Sequence, residues 1–359
     1  MGQGMKEYTV VVVGMGKRGK HHAEAFNANN RFKVAGICDI DEARLADGRR
    51  LLGGDVETSS DAAALAQSLK PDVFCFCTMP HLREQMIRIG VENGARLLAF
   101  EKPLADSSRA AMRIREMLDA SGVKAVVSHQ HRYGAHYAKV KEIAAAGDLG
   151  GIHTIYASTP GWMMHMLSHM IDYMRWYNGE AGAEWVMAQA SGRGKLGDNH
   201  PSPDYIAGFM QFANGVRGIV ESGAGAPNIP EVAKWWGRNR IRVMGDRGFA
   251  EVITNGGWRA VTDRGAQGGE GAMDYAADMP PYVQDMAKWL DDEALVHPCN
   301  FQSAYQGFEI MMAMCRSVVE GGQVALPLRE PADEIEALRD TLDGREVILS
   351  SPDHAAEYA

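Results

Sequence analysis

The sequence predicts an α/β domain with a doubly wound parallel sheet, followed by an α+β domain built on a large, mainly antiparallel open sheet. Three observations support this prediction. A β-branched apolar run near the N-terminus turns at closely spaced glycines into a helical pattern. Strand and helix patterns then alternate as far as residue 128. Beyond it, strand patterns follow one another with turn residues between them, which is typical of antiparallel pairing. We therefore predict domains over residues 1–128 and 129–359.

The first predicted element is a strand over Thr9–Val13. It leads into a helix through the pattern G-x-G-x-x-G, formed by Gly14, Gly16 and Gly19. Gly14 permits the tight turn, Gly16 lets backbone N–H groups approach a pyrophosphate, and Gly19 lets the helix lie close to the strand. The N–H groups and the dipole at a helix start favour a diphosphate's negative charge. Because a strand precedes the pattern and a helix follows it, a dinucleotide-binding site is predicted.

The next strand pattern, Phe32–Cys38, ends in Asp39. An acidic side chain at this place accepts hydrogen bonds from the adenosine ribose hydroxyls and repels a 2′-phosphate. The predicted cofactor is therefore NAD in preference to NADP, although the nearby Arg44 weakens the discrimination. The residues predicted to bind the cofactor are Gly14, Met15, Gly16, Lys17, Arg18, Gly19, Asp39, Thr78, Glu101 and Lys102.

The rest of the first domain continues the alternation. Strand patterns over 73–77, 97–100 and 123–127 are separated by helical patterns over 62–69, 81–92 and 108–120. Continuous apolar strands are typical of a parallel sheet that is covered on both faces. Ligands of such sheets bind beyond the carboxyl ends of the strands, so residues that directly follow a strand are the candidates for a site.

The second domain begins with predicted helices over 136–146 and 164–177 on either side of a strand over 153–159. Further strand patterns cover 185–191, 205–212, 216–222, 241–244 and 249–253. We interpret the glycine-rich stretch 256–278 as a long loop and 303–320 as the last helix. These elements predict the open antiparallel sheet.

Composition excludes several classes of partner. The formal net charge of −9 argues against nucleic acid and anionic membranes, because both favour basic surfaces. No apolar run approaches the ~20 residues that span a bilayer. The five cysteines, an odd number, indicate reduced thiols, so the predicted location is the cytoplasm.

Lys102 is the first candidate for chemistry, because it follows a strand of the first domain. A lysine there can donate to a substrate hydroxyl oxygen. Beside a positively charged nicotinamide its pKa should fall, which would let it take part in proton transfer near neutral pH. The alternative is a surface lysine before a turn.

The stretch Trp162–Asp172 is the second candidate. On an α-helix, His165, His169 and Asp172 are spaced by four and three residues and share one face. The imidazole side chain gains and loses its proton near neutral pH, so either histidine is a candidate acid or base. Asp172 could orient His169. One alternative is a zinc pair, which lacks an evident third ligand. The other is packing of buried histidines. No metal site is predicted.

Three motifs occur together in a characteristic order. They are Gly14-x-Gly16-x-x-Gly19-x-x-His22, Glu101-Lys102-Pro103-Leu104-Ala105 and His169-Met170-Ile171-Asp172. In this combination the chain resembles the Gfo/Idh/MocA family of NAD(P)-dependent oxidoreductases, which act mainly on sugars, cyclitols and their derivatives. The resemblance implies an N-terminal Rossmann domain and a second domain whose sheet mediates homodimers or homotetramers.

The same resemblance implies that Lys102 and His169 are catalytic. His169 would remove the hydroxyl proton of a ring-carbon alcohol, Lys102 would bind the oxygen, and hydride would pass to the nicotinamide. Further candidates for catalysis or substrate binding are Gln130, Arg132, Trp162, His165 and Asp172.

The chain departs from the family at several positions, and two of them bear on the substrate. His165 stands where many members have aspartate, and Arg83 stands where they have a histidine. Together these two residues suggest the hypothesis of an anionic sugar substrate.

The predicted function is therefore an NAD-dependent sugar or cyclitol dehydrogenase that acts as a homo-oligomer on a small-molecule substrate. One alternative is a redox-neutral, glycoside-cleaving enzyme that oxidises, eliminates, hydrates and reduces. The other is a non-catalytic dinucleotide-binding sensor, against which the retained Lys102 and His169 argue.

Overall fold

The computed structural model describes residues 6–344, and its contacts divide them into two compact units. The first unit contains residues 6–105, 110–133 and 274–302, and the second contains 106–109, 134–273 and 303–344. The first and last residues of the predicted domains, 1–5 and 345–359, lie outside the described range. Within 6–344, no helix has both the length and the apolar character needed to cross a bilayer.

A six-stranded parallel sheet forms the first unit. Its strands are β1 (Tyr8–Val13), β2 (Phe32–Cys38), β3 (Glu57–Ser59), β4 (Val73–Phe76), β5 (Leu97–Phe100) and β6 (Lys124–Val127). The helices between them are α1 (Lys17–Asn27), α2 (Glu42–Leu52), α3 (Ala62–Leu69), α4 (Arg83–Glu92) and α5 (Ser108–Ser121). The order β3-β2-β1-β4-β5-β6, with all pairs parallel, confirms the predicted doubly wound fold. The order reverses beside β1, where ligands bind in such sheets.

A nine-stranded sheet forms the second unit. Its strands are β7 (Ile152–Thr159), β8 (Ala183–Ser191), β9 (Tyr205–Phe212), β10 (Arg217–Gly223), β11 (Arg240–Gly245), β12 (Gly248–Ile253), β13 (Gly257–Thr262), β14 (Gly265–Gly269) and β15 (Val324–Ala325). The helices α6 (Ala135–Ala145) and α7 (Ser168–Tyr177) pack against this sheet. The order is β14-β13-β12-β11-β7-β10-β9-β8-β15, and only β7 and β10 pair in parallel. This arrangement confirms the predicted α+β domain.

The stretch 256–278 is not the long loop that the sequence predicted. β13 and β14 form a hairpin within it, and α8 (Tyr275–Asp291) begins near its end. In β14, three of the five residues are glycine, which has no side chain to show the alternation of a strand. Two prolines within α8 argued against a helix in the sequence. Asp274 nevertheless caps the N-terminus of α8, and Met279, Val283 and Met286 of this helix pack into the core of the first unit. The helices α9 (Phe301–Glu320) and α10 (Glu334–Thr341) complete the described chain.

Candidate active site

The glycine turn after β1 has the geometry that dinucleotide binding requires. Gly14 has a φ of +85°, which only glycine adopts without strain. A Cβ atom on Gly19 would lie 1.8 Å from the Gly14 carbonyl oxygen, so the helix start lies directly against the turn. A Cβ on Gly16 would meet no atom within 4 Å. The open space at Gly16, at the start of α1, fits the diphosphate of a dinucleotide.

Asp39 organises the same turn from the end of β2. The side chain is 6% exposed, and its Oδ2 atom accepts a hydrogen bond of 2.6 Å from the backbone N–H of Met15. Its Oδ1 atom accepts from the N–H of Asp41 at 3.0 Å, and Arg44 Nη1 lies 3.8 Å from Oδ2. The carboxylate is thus held at the end of β2 against the glycine turn, with the Arg44 guanidinium beside it.

We expect Asp39→Ala to weaken NAD binding by about 10-fold and to reduce the preference for NAD over NADP. The substitution removes the acceptor for the ribose and the repulsion of a 2′-phosphate, and it leaves Arg44 without this carboxylate. Titration of protein fluorescence with each dinucleotide measures both constants. Asp61→Ala, which removes the cap of α3, is the matched control. An unchanged ratio of the two constants would exclude a role of Asp39 in discrimination.

A buried ion-pair network surrounds Glu101, directly after β5. Its Oε1 atom accepts from Arg18 Nε at 2.9 Å and lies 3.1 Å from His22 Nε2. Burial alone would raise the pKa of Glu101, but the Arg18 charge and the His22 hydrogen bond outweigh it and hold the pKa well below its usual range. The Arg18 guanidinium lies 4.3 Å from the Tyr275 ring centre. Its Nη2 atom is buried and has no hydrogen-bond partner among residues 6–344.

Lys102 follows Glu101 and lies in this network. Burial lowers the pKa of Lys102 to about 8, the charges of Arg18 and Arg83 contribute in the same direction, and Glu101 opposes them. The amine therefore gains and loses its proton close to neutral pH even before a charged nicotinamide is considered. Such a group is suited to act as an acid or hydrogen-bond donor to a reacting oxygen.

Arg83 lies between Pro103, directly after Lys102, and Thr78. Arg83 is 1% exposed, and it donates from Nε to the Pro103 carbonyl oxygen and from Nη1 to Thr78 Oγ1, both at 3.3 Å. A side chain enclosed in this way contacts the protein interior and offers no surface to a sugar. The geometry therefore does not support the part of the anionic-sugar hypothesis that rested on Arg83.

Gln130 and Arg132 lie in a single 3₁₀ turn after β6, and both are buried. Gln130 Oε1 accepts from Ser128 Oγ at 3.0 Å, and Arg132 Nη1 donates to the Pro298 carbonyl oxygen at 3.1 Å. These bonds fix the turn within the first unit.

In the second unit, the predicted histidine helix begins with a π-turn. Residues Met163–Leu167 form this turn after Trp162, and α7 starts only at Ser168. The α-helical spacing from which the sequence predicted a common face therefore applies to His169 and Asp172 but not to His165. Asp172 is 1% exposed within α7.

The two histidines have different neighbours. His169 Nδ1 lies 3.0 Å from Tyr173 Oη, one turn further along α7. The His165 ring lies 4.3 Å from the ring of His200. No motif pointed to His200, because it lies in an irregular segment far along the chain. Within residues 6–344, no three His, Cys, Asp or Glu side chains are grouped so that they could hold a metal ion.

Comparison with known proteins agrees with this architecture. Residues 8–129 match the oxidoreductase family with an NAD-binding Rossmann fold, and 137–251 match the GFO/IDH/MocA C-terminal domain. An uncharacterized protein of Sinorhizobium fredii is 29% identical over 68% of this chain and 72% of its own length. Myo-inositol 2-dehydrogenase of Thermotoga maritima is 23% identical over 67% of this chain and 75% of its own.

Solved structures share the fold. An oxidoreductase from Agrobacterium radiobacter, in complex with NAD+, L-tartaric acid and magnesium, matches with a TM-score of 0.77 at 15% identity over 89% of this chain and 98% of its own. Levoglucosan dehydrogenase, in complex with NADH and levoglucosan, matches with a TM-score of 0.75 at 17% identity, over 90% of this chain and 100% of its own.

Proposed function

Since the chain belongs to the Gfo/Idh/MocA family of NAD-binding oxidoreductases, we propose that it transfers hydride from a ring-carbon secondary alcohol of a sugar, cyclitol or sugar derivative. Family membership confirms the predicted cofactor, NAD, and the predicted enzyme class. The proposal depends mainly on the position and the pKa of Lys102. This lysine follows β5 at the edge of the sheet where the glycine turn follows β1, and its pKa is lowered to about 8. Relatives named for inositol and levoglucosan support a cyclic polyol.

The chain's own groups supply the proton chemistry. When bound, the nicotinamide ring supplies the hydride acceptor. The Lys102 ammonium donates from Nζ to the substrate oxygen and stabilises the negative charge that develops there. In the tautomer that carries its proton on Nδ1, His169 donates to Tyr173 Oη, and Nε2 then takes the hydroxyl proton.

We expect His169→Gln to lower kcat by about 10²- to 10⁴-fold, because glutamine cannot take up the proton. Tyr173→Phe should cost less, about 10-fold, since it removes only the group that holds the ring in this tautomer. Initial rates at saturating NAD and a range of pH measure both effects. His153→Gln, an exposed histidine on β7, is the control. A His169→Gln enzyme with normal turnover would exclude the histidine as the base.

The function is tested by incubating the protein and NAD with sugars, cyclitols, uronic acids and aryl glycosides. NADH is followed by its absorbance, and released aglycone is followed in parallel. Stoichiometric NADH formation from one polyol is the expected result. Aglycone release without NADH growth would replace the dehydrogenase with the redox-neutral glycosidase. If the protein binds NAD but forms neither NADH nor free aglycone, the result would favour the non-catalytic sensor.

We also propose that the chain acts in the cytoplasm as a homodimer or homotetramer. All five cysteines are free thiols, as suits a reducing compartment. Met187 on β8 and Phe209 on β9 are paired across the strands and are 51% and 36% exposed, so they form an apolar patch suited to a second copy. Light scattering after size exclusion measures the assembly size.

A further inference from the structure

His165 and His200 form a pair of histidines to which the proposed reaction has so far given no task. Their ring centres lie 4.3 Å apart, with the ring planes inclined at 49°. Both residues are partly exposed, so a molecule from solution can reach them. An anion placed against both rings accepts an N–H group from each and offsets the charge of whichever ring is protonated. The pair is therefore suited to bind an anionic group.

Buried hydrogen bonds of the backbone bring the two histidines together. The π-turn that carries His165 begins at Met163, whose N–H group donates to Ser202 Oγ at 2.9 Å. Ser202 is 1% exposed, and its own N–H group donates to the Lys195 carbonyl oxygen at 3.1 Å. These bonds close the irregular segment 192–204, which carries His200, against the π-turn. Single π-turns recur at functional sites, because they redirect side chains that an α-helix would place elsewhere.

The charged groups around the pair leave room for an anion. Lys195 Nζ lies 5.8 Å from the ring centre of Trp162, the residue directly before the π-turn, and 3.5 Å from Asp198 Oδ2. Asp204 Oδ1 accepts from the N–H group of Gly194 at 3.0 Å. The other charged groups of this segment, and of α10 where it bonds to the segment, are Arg193, Arg339 and Glu336. These cations and carboxylates balance in number, so protonation of either histidine makes the neighbourhood positive.

We propose that His165 and His200 bind an anionic oxygen group of the substrate, so that the polyol oxidised is a sugar acid or a sugar phosphate. His165 precedes His169 by little more than one helical turn, about 5 Å along the axis. An anionic substituent at one side of a sugar ring can therefore reach the pair while an alcohol at the other side reaches His169. The identity of the substrate rests on the proposed function, whereas the anion site itself does not.

The site is tested without a substrate by imidazole NMR of isotope-labelled protein, with acetate and inorganic phosphate as the probes. We expect the signals of His165 and His200 to shift in a saturable way with each anion. The affinity should be about 10-fold higher at about pH 6 than at about pH 8, because the imidazolium form binds the anion. His165→Gln and His200→Gln assign the signals, and thermal unfolding checks that both variants fold.

His153 provides the control within the same spectra. It is an exposed histidine of β7 that lies beside Arg217, so it reports non-specific attraction of anions to a basic surface. Signals of the pair that stay unchanged, or that move only as the His153 signal does, would overturn the proposal. A pair that responds to zinc but not to the two anions would overturn it as well.

The substrate class is tested by steady-state rates with matched neutral hexoses, hexuronic acids and hexose 6-phosphates. We expect an anionic polyol to have the highest kcat/KM, and the relative rates of the last two groups distinguish a carboxylate from a phosphate. His200→Gln should raise KM for that polyol by about 10-fold and change kcat by less than about threefold, while His200→Arg, which keeps a positive charge, should restore much of the loss. A neutral hexose with the highest kcat/KM would overturn the assignment of the substrate.

The two proposals can fail separately. Saturable anion binding by the pair, in a protein that oxidises no polyol, would contradict the proposed function and leave the anion site intact. Oxidation of neutral polyols by a protein whose two histidines do not respond to the anions would do the opposite.

Discussion

Replacing Lys102 with alanine is expected to lower kcat by at least about 10³-fold, because the substitution removes the donor that stabilises negative charge on the substrate oxygen. The dissociation constant for NAD should change by less than about threefold, since loss of an amine near a positively charged ring removes repulsion as well as contact. Single-turnover measurement of NADH formation, together with NAD titration by protein fluorescence, separates the two effects.

The control for this experiment is Lys33→Ala, which removes an exposed lysine from β2. Normal turnover in the Lys102→Ala enzyme would remove the lysine from the mechanism. A parallel loss of NAD affinity and turnover would instead make Lys102 a residue that binds the cofactor. The stability of the folded protein also needs measurement, because Glu101 loses a cationic neighbour in this variant.

Residues at strand ends could be found from the sequence because their position depends only on local order along the chain. Asp39 follows a recognisable strand, and Glu101 and Lys102 follow another. Parallel strands bring such residues to one edge whatever the details of packing. The same logic located the glycine turn. The order of residues along the chain could not predict the pKa of Lys102. That pKa depends on burial and on the charges of Arg18 in α1 and Arg83 in α4.

The missed features depend on contacts between residues distant in the chain. α8 contains prolines that locally argue against a helix, yet burial of Met279 and Met286 in the core of the first unit outweighs that tendency. The pairing of His200 with His165 joins residues without a shared motif. The π-turn before α7 adds one residue to a turn of the helix, which no apolar period in the sequence reveals.

Gly19→Ala is expected to abolish measurable NAD binding and to lower the free energy of unfolding by about 1–3 kcal/mol or more. The new methyl group would lie 1.8 Å from the Gly14 carbonyl oxygen, which is backbone and cannot turn aside. The start of α1 must therefore move away from β1, and this movement destroys the row of N–H groups that faces the diphosphate. Thermal unfolding without ligand and NAD titration measure the two losses.

Gly16→Ala separates the cofactor cradle from the fold. Gly16 has a φ of −66°, which alanine adopts freely, and a methyl group there meets no protein atom within 4 Å. The unfolding temperature should therefore stay near that of the unaltered protein, while NAD binding weakens by about 10-fold or more because the methyl group fills space that the diphosphate needs. Equal NAD affinity in Gly16→Ala and the unaltered protein would place the diphosphate elsewhere. The two variants therefore test two separate features, the close contact of Gly19 with the Gly14 carbonyl and the open space beside Gly16.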